Sequence, residues 1–376
     1  MEEKGNYEAK IYQVALSLVP GVGHALAKTL VSYCGSAEAV FRTKSHQLHK
    51  IPGIGSKISA AIRNNKVLKT AEQEVARCHQ KGIQVLTYTD PAYPYRLKQI
   101  YDAPAVLYCK GNTNLNAQKV VSMVGTRNAT SYGREVIEEL MNGLAKHQAL
   151  IVSGLAYGID IYAHRTALRQ QLDTVGVLAN GLDIIYPAVH KKTALEMLQQ
   201  GGLVSEIKPG VQPEAHYFPA RNRIIAGMAD ATIVIEAATT GGALITANLA
   251  NDYNREVFAV PGNLYQTYSQ GCNKLIRNHK AHILTGMEHL EYIMNWDLEN
   301  TTSPTPSATL PDLTDMPAPE RKIMELLLNQ EQGLLMDEIS WKIQTPIYQL
   351  ASLLLNLECK GLIKALPGKK YKLARR

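Results

Sequence analysis

Five stretches of the 376-residue sequence carry glycines, cations or hydroxyls, the residue types that hold phosphate. Gly125-Thr126-Arg127-Asn128-Ala129-Thr130-Ser131-Tyr132-Gly133 is a glycine turn leading into a helix. Ser153-Gly154-Leu155-Ala156-Tyr157-Gly158-Ile159-Asp160 carries His164 one helical turn on. Gly181-Leu182-Asp183-Ile184-Ile185-Tyr186-Pro187 runs into His190-Lys191-Lys192, which brings two ammonium groups. Phe218-Pro219-Ala220-Arg221-Asn222-Arg223 opens one helix and Thr239-Thr240-Gly241-Gly242-Ala243 another. Glycines expose backbone N–H groups to an anion, and arginine grips phosphate through two parallel bonds. This is chemistry for holding phosphates rather than for breaking bonds. Asp160 reads as a helix N-cap and His164 as a packed histidine. Glu206, Glu236, Asp160 and Asp183 read as caps or buried networks, with an acid–base pair as the alternative. The G-x-G-x-x-G dinucleotide fingerprint, the P-loop, G-x-S-x-G and H-E-x-x-H are all missing, so no cofactor is expected.

The elements that position these loops are visible as short Val/Ile/Leu-rich runs. Between Lys81 and Met294 they are GIQVLTY, AVLYCKG, KVVSMVG, ALIVSG, TVGVLANG, GLVSE, ATIVIEA and EVFAVPG. Several are apolar at successive positions, as in strands buried on both faces, and helical patterns separate them. The spacing predicts a doubly wound, Rossmann-like parallel α/β sheet over residues 76–296. In such a sheet, ligands gather at the carboxyl ends of the strands, where the five stretches lie.

Composition bounds the rest. A hydrophobic fraction of 45% excludes wholesale disorder, and 40 Lys plus Arg against 33 Asp plus Glu leaves +7, which fits a polyanionic partner. The five cysteines are scattered singly, with no C-x-x-C pair, so no metal is expected. No basic-then-apolar start and no membrane-length apolar run occurs, so the expectation is a cytoplasmic protein without a membrane partner. Nineteen Tyr against three Phe and two Trp is an unusual balance, and tyrosine either packs half-buried or stacks on bases.

Both ends differ from the middle. Residues 1–75 read as helices broken by two similar turns, LVPGVGHALAKTL from Leu18 and KIPGIGSKISAAI from Lys50. Each is apolar-Pro-Gly-apolar-Gly and then a helix, carrying Lys28 and Lys57 respectively. They resemble the helix-hairpin-helix motif of SAM-like domains, suited either to phosphate contact or to plain packing. Residues 297–316 are crowded with Ser, Thr and Pro and read as a linker. Residues 317–376 read as helix, turn, helix and a hairpin around Pro367-Gly368, a winged helix. This segment has ten Lys/Arg against six Asp/Glu, yet its recognition helix points Gln349, Ser352 and Asn356 outward, so duplex binding and protein interaction both stay open.

Six segments appear in order between Met123 and Ile276: MVGTRNATSYG, SGLAYGIDIYAHRTAL, NGLDIIYP, GLVSEIKPGVQPEAHYFPARNRIIAG, TTGGALITANLA and VFAVPGNLYQTYSQGCNKLI. Together they resemble the DNA-processing protein A family, and the helical front and winged-helix tail fit its three-part layout. The resemblance implies a non-catalytic single-stranded DNA-binding protein of natural transformation that protects incoming strands and loads RecA recombinase onto them. It also implies a homodimer joined through the α/β domains. Carried over position by position, the family's phosphate contacts fall on Gly125, Thr126, Arg127, Ser153, Gly154, Lys191, Lys192, Arg221, Asn222 and Arg223, with Lys274 and Arg277 as further candidates. Two departures stand out: Gln171-Leu172-Asp173 replaces a glycine-containing turn, and Gly241-Gly242-Ala243 replaces Ser-Gly-Ser. Two other functions are compatible with parts of the sequence. A nucleoside-monophosphate phosphoribohydrolase has a similar sheet, but its Pro-Gly-Gly-x-Gly-Thr-x-x-Glu is reduced here to TTGGALITANL. A winged-helix duplex-DNA regulator would need the tail alone.

Overall fold

A computed structural model describes residues 2–296 and 316–374, apart from 329, 331, 332, 344 and 367. The expected linker, but for Met316, lies outside the described residues, as does Pro367 of the expected hairpin. The chain forms two compact units, residues 1–298 and 299–376.

The first unit is built on nine strands: β1 (Gln84–Thr87), β2 (Val106–Gly111), β3 (Val120–Val124), β4 (Leu150–Ser153), β5 (Thr174–Val177), β6 (Gly201–Ser205), β7 (Ala231–Val234), β8 (Glu256–Ala259) and β9 (His282–Ile283). Their order is β1-β2-β6-β5-β4-β3-β7-β8-β9. From β6 to β9 every pairing is parallel, whereas β1–β2 and β2–β6 are antiparallel. All eight apolar runs are strands. Two-residue β9 carries no apolar run and was invisible in the sequence; it pairs with β8 at the edge.

Side-chain alternation in β3 shows how the layers form. Val120 and Val124 join the core under the helices Tyr217–Met228 and Gly242–Asp252, through Ile224, Ile225, Ala243 and Ala247. Val121 and Met123 face the other side, with Ile137, Leu140, Ile159 and Ala163 of the helices Ser131–Lys146 and Ile159–Arg169. Period-two residues thus serve two cores, each fully buried side chain contributing roughly 1.5–3 kcal/mol. After β6 the chain crosses to the far side of β3 to lay down β7, so the order reverses at the β3–β7 boundary.

The front helices pack on the same unit. The helix Asn65–Gln80 runs through residue 75, and Ala71, Val75 and Cys78 share a core with Val85, Val106 and Tyr108 of the sheet. The two glycine turns are back to back. Gly21 (φ 84°) lies against Ile58 and Gly53 (φ 83°) against Leu26, while Val19, Val22, Ile51 and Ile54 fill the core between them. The first turn is also tied to the sheet: His24 Nδ1 accepts from the Ala105 N–H at 3.2 Å. Lys28 lies 4.2 Å over the Tyr88 ring, and burial lowers its pKa; Lys57 is exposed.

The second unit is the winged helix. The helices Ala318–Leu328, Met336–Lys342 and Ile347–Cys359 enclose Ile323, Leu327, Ile339, Leu350, Leu354 and Leu357. A three-stranded sheet of Leu334–Leu335, Lys370–Leu373 and Ile363–Leu366 closes it.

Candidate functional site

At the reversal point, the carboxyl ends of β3, β4, β5 and β7 surround a cleft of about 640 Å³. The turn after β3 forms one wall. The Thr126 N–H donates to the Glu236 carbonyl at 2.7 Å, and the Thr126 carbonyl accepts from Ile159 N–H at 3.1 Å. Gly158 (φ 76°) backs directly onto this turn: a side chain there would collide with the Thr126 carbonyl and the Arg127 backbone. The close approach leaves Arg127 exposed on the cleft.

The floor is charged and buried. Arg221 and Asp160 both line the cleft from below and both lie against Gly154. Arg221 donates to the Val177 carbonyl through Nη1 and to Asn222 Oδ1 through Nε at 3.3 Å. Burial pushes the Asp160 carboxyl up, and the Arg221 guanidinium and the Ala156 N–H pull it back. Burial likewise lowers Arg221, which Asp160 opposes and Arg127 reinforces. Asp160 is not the N-cap: Gly158 holds that position, and Asp160 is the second helical residue, its carboxylate turned back to Ala156.

The rim is aromatic and hydroxylic. Tyr157 and Tyr186 are half exposed, and the Tyr186 and Phe218 rings lie 5.9 Å apart. Opposite them, Gly241 (φ 144°) leads into the helix Gly242–Asp252, whose first backbone bond is Ile245 N–H to the Gly241 carbonyl. The amides before Ile245 therefore begin the helix at the cleft, beside Thr240.

Of the positions that carry the family's phosphate contacts, Gly125, Thr126, Arg127, Arg221 and Asn222 line this cleft. Gly154 lies directly beneath, its carbonyl accepting from His164 Nε2 at 2.6 Å. Ser153 is buried and donates to the Met123 carbonyl at 2.5 Å. Arg223 turns elsewhere: it pairs with Glu206, donates to the Asp102 carbonyl at 2.6 Å and lies 3.3 Å from His24 Nε2. Lys191 and Lys192 are exposed at the start of the helix Lys191–Met197, outside the cleft lining. Lys274 and Arg277 are exposed on the helix Gln270–Arg277; Lys274 borders a smaller groove with Asn248 and Lys280. The carboxylates weighed as an acid–base pair are engaged: Glu206 with Arg223, Asp183 with Lys81 at 2.5 Å, and Glu236 with the Thr130 hydroxyl at 2.6 Å. His164 is packed as expected, and burial lowers its pKa to about 4.

Tyr157, Tyr186 and Phe218 were named only as parts of loops, not as binding groups. Their signal was their position, each a few residues beyond an expected strand end or at a helix start, in a chain rich in tyrosine. Among the described residues, no cluster of three or more His, Cys, Asp or Glu is arranged to hold a metal ion, and no helix is long and apolar enough to cross a membrane.

Comparison with known proteins agrees with this architecture. A family described as DNA recombination-mediator protein A matches residues 84–295, the DprA winged helix domain matches 303–369, and a SAM-like helix-hairpin-helix tandem matches 14–64. Protein Smf of Synechocystis is 33% identical over 96% of this chain and 98% of its own. The DNA processing protein DprA of Bacillus subtilis is 38% identical over 65% of this chain and 83% of its own. Among solved structures, DNA processing protein A of Streptococcus pneumoniae aligns with a TM-score of 0.61 at 32% identity, covering 76% of this chain and 97% of that one. The DNA processing protein A of Helicobacter pylori, solved for its single-stranded DNA binding mode, aligns at 0.52 and 30% identity over 57% of this chain and 95% of that one. With its winged helix, its helical front and its central sheet all matched, the chain belongs to the DNA recombination-mediator protein A (DprA/Smf) family.

Proposed function

We propose that this chain is a non-catalytic single-stranded DNA-binding protein of natural transformation, which protects incoming strands and loads RecA recombinase onto them. The observation that carries the reading is Arg127, exposed on a glycine turn at the reversal point of the sheet, facing a cleft with amides on one wall and rings on its rim. The Arg127 guanidinium and the amides before Ile245 hold phosphates, while Tyr157, Tyr186 and Phe218 offer faces to any base. Lys191, Lys192, Lys274 and Arg277 lie outside the cleft lining, available to phosphates beyond it. The Helicobacter relative's single-stranded DNA binding supports the choice of strand. The recombination-mediator family supports the RecA partner, and the family resemblance supports a homodimer in the cytoplasm.

Fluorescence anisotropy with a labelled mixed-sequence single strand and its duplex, across a salt series, tests the reading. Four phosphates held would give a slope of log affinity on log salt of about −3. Equal or tighter binding to the duplex would overturn it. Strand exchange with RecA on strands precoated by single-strand binding protein tests the hand-off, which requires faster exchange when this protein is added.

A further inference from the structure

Two loops form the cleft wall that carries Tyr186 and Ala215, residues 181–187 and 206–215. They are bonded to each other: the Gly181 N–H donates to the Val211 carbonyl at 3.0 Å, and the Gly210 N–H to Asp183 Oδ1 at 2.8 Å. The helix Asn65–Gln80 packs against their outer side. There the Arg77 guanidinium comes within 3.4 Å of where a Cβ at Gly210 would stand. Lys208 stands two residues before Gly210 in the same loop, its carbonyl accepting from the Val211 N–H at 3.4 Å, and both it and Arg77 pull down the carboxyl of buried Glu74, which burial raises. Glu74 accepts from the Tyr108 hydroxyl and is no surface partner for either cation. Lys81 is paired with Asp183 at 2.5 Å, and Glu214, at the other end of the 206–215 loop, lies 3.5 Å from His216 Nδ1. Arg77 and Lys208 are both exposed, and among the described residues neither has a carboxylate within ion-pair distance.

We propose that Arg77 and Lys208 form a second phosphate-contact surface, on which a single strand leaving the cleft past Tyr186 continues toward the front helices. This rests on the single-stranded DNA reading of the cleft. Two exposed cations, joined to the cleft wall through the 206–215 loop and lacking carboxylate partners, suit a flexible polyanion better than a protein face, which would need apolar anchors. The surface also gives the front helices a role in binding that does not depend on their glycine turns.

The test compares oligothymidylates of six and twenty nucleotides in salt-series anisotropy, using the full chain. Lys208→Glu alone and Arg77→Gln/Lys208→Glu together are expected to weaken the twenty-mer at least fivefold while leaving the six-mer within twofold. In the double variant the twenty-mer salt slope should fall by about 1.4, at 0.7 per lost contact. Lys208 sits on an exposed loop, so its single variant answers even where the double variant is destabilised. An unchanged twenty-mer slope overturns the proposal, and so does equal weakening of both lengths. Arg127→Ala in the same series keeps the two readings apart. If it leaves both lengths unaffected, the cleft reading fails; if it weakens both while the Lys208 and Arg77 variants change nothing, only the second surface fails.

Discussion

The Asp160 carboxylate and the Arg221 guanidinium converge on Gly154: a Cβ there would collide with Asp160 Oδ2 and stand 2.7 Å from both terminal nitrogens of Arg221. Both side chains are more than nine-tenths buried, and each charge offsets part of the other's lost hydration. Removing Asp160 leaves Arg221 its bonds to the Val177 carbonyl and Asn222 but takes away that opposite charge. Asp160→Ala should therefore destabilise the fold by about 1–3 kcal/mol. Arg127→Ala, on the exposed side of the same cleft, should change stability by less than about 0.5 kcal/mol. Urea denaturation of the two variants checks the contrast, and equal losses would mean that the floor and the wall are one network.

Binding should separate where stability does not. Arg127→Ala removes a phosphate contact, so it should weaken single strands of every base composition alike and flatten the salt slope by about 0.7. Tyr186→Ala and Phe218→Ala remove ring faces instead. Each should weaken binding by about 1–3 kcal/mol with the slope unchanged. Anisotropy across a salt series for the three variants distinguishes a charge from a stacking platform. A changed slope in the ring variants would show that the rings act by placing Arg127.

The strands and the phosphate-type turns were legible because both are local patterns. Successive apolar residues mark strands covered on two faces, and glycine beside cation or hydroxyl marks a turn that exposes its backbone. Direction was not legible. Arg221, Asn222 and Arg223 are consecutive on one helix, and about 100° separates each side chain from the next. They cannot all enter one cleft, and Arg223, about 200° from Arg221, meets Glu206 and His24 instead. Lys191 and Lys192 follow the same logic: the loop that carries them reaches the cleft with Tyr186 and Pro187 and has turned into a helix by Lys191. The antiparallel edge escaped too. The runs at β1 and β2 look like any buried strand, and the connection from Thr87 to Val106 is long enough for a parallel crossover, so no sequence signal shows that they lie antiparallel.

That edge is joined to the centre of the sheet by a contact no periodicity announces. Arg96, almost fully buried, binds Asp230 through Nε at 2.5 Å and Nη2 at 2.7 Å, and donates to the carbonyls of Ala117 and Gln118 at 2.9 Å. Asp230 in turn accepts from the Val120 N–H at 2.9 Å. One arginine thus links the segment before β2, the entry to β3 and the entry to β7, the two strands between which the cleft opens. Arg96→Ala should cost about 3–5 kcal/mol in urea denaturation. Arg96→Lys should recover little of it, because an ammonium cannot bridge Asp230 and two carbonyls with the guanidinium's fixed fork. Full recovery by lysine would reduce the contact to simple charge pairing.

Acid sensitivity follows from His164. Its Nε2 lies 2.6 Å from the Gly154 carbonyl and its Nδ1 2.6 Å from the Thr174 hydroxyl, in a site without water access. Burial lowers its pKa from 6.5 to about 4, so the folded chain resists a proton that the unfolded chain accepts. Stability from this group is complete above pH 6.5 and is lost as pH falls toward 4, because the unfolded state binds more protons across that window. Between pH 7 and pH 5 the loss amounts to about 2 kcal/mol. His164→Gln keeps a donor for the Gly154 carbonyl and removes the titration. Its urea-derived stability should therefore fall by about 2 kcal/mol less than the parent's between the two pH values. Parent and variant whose stabilities fall in parallel would show that His164 is not the group that takes up the proton.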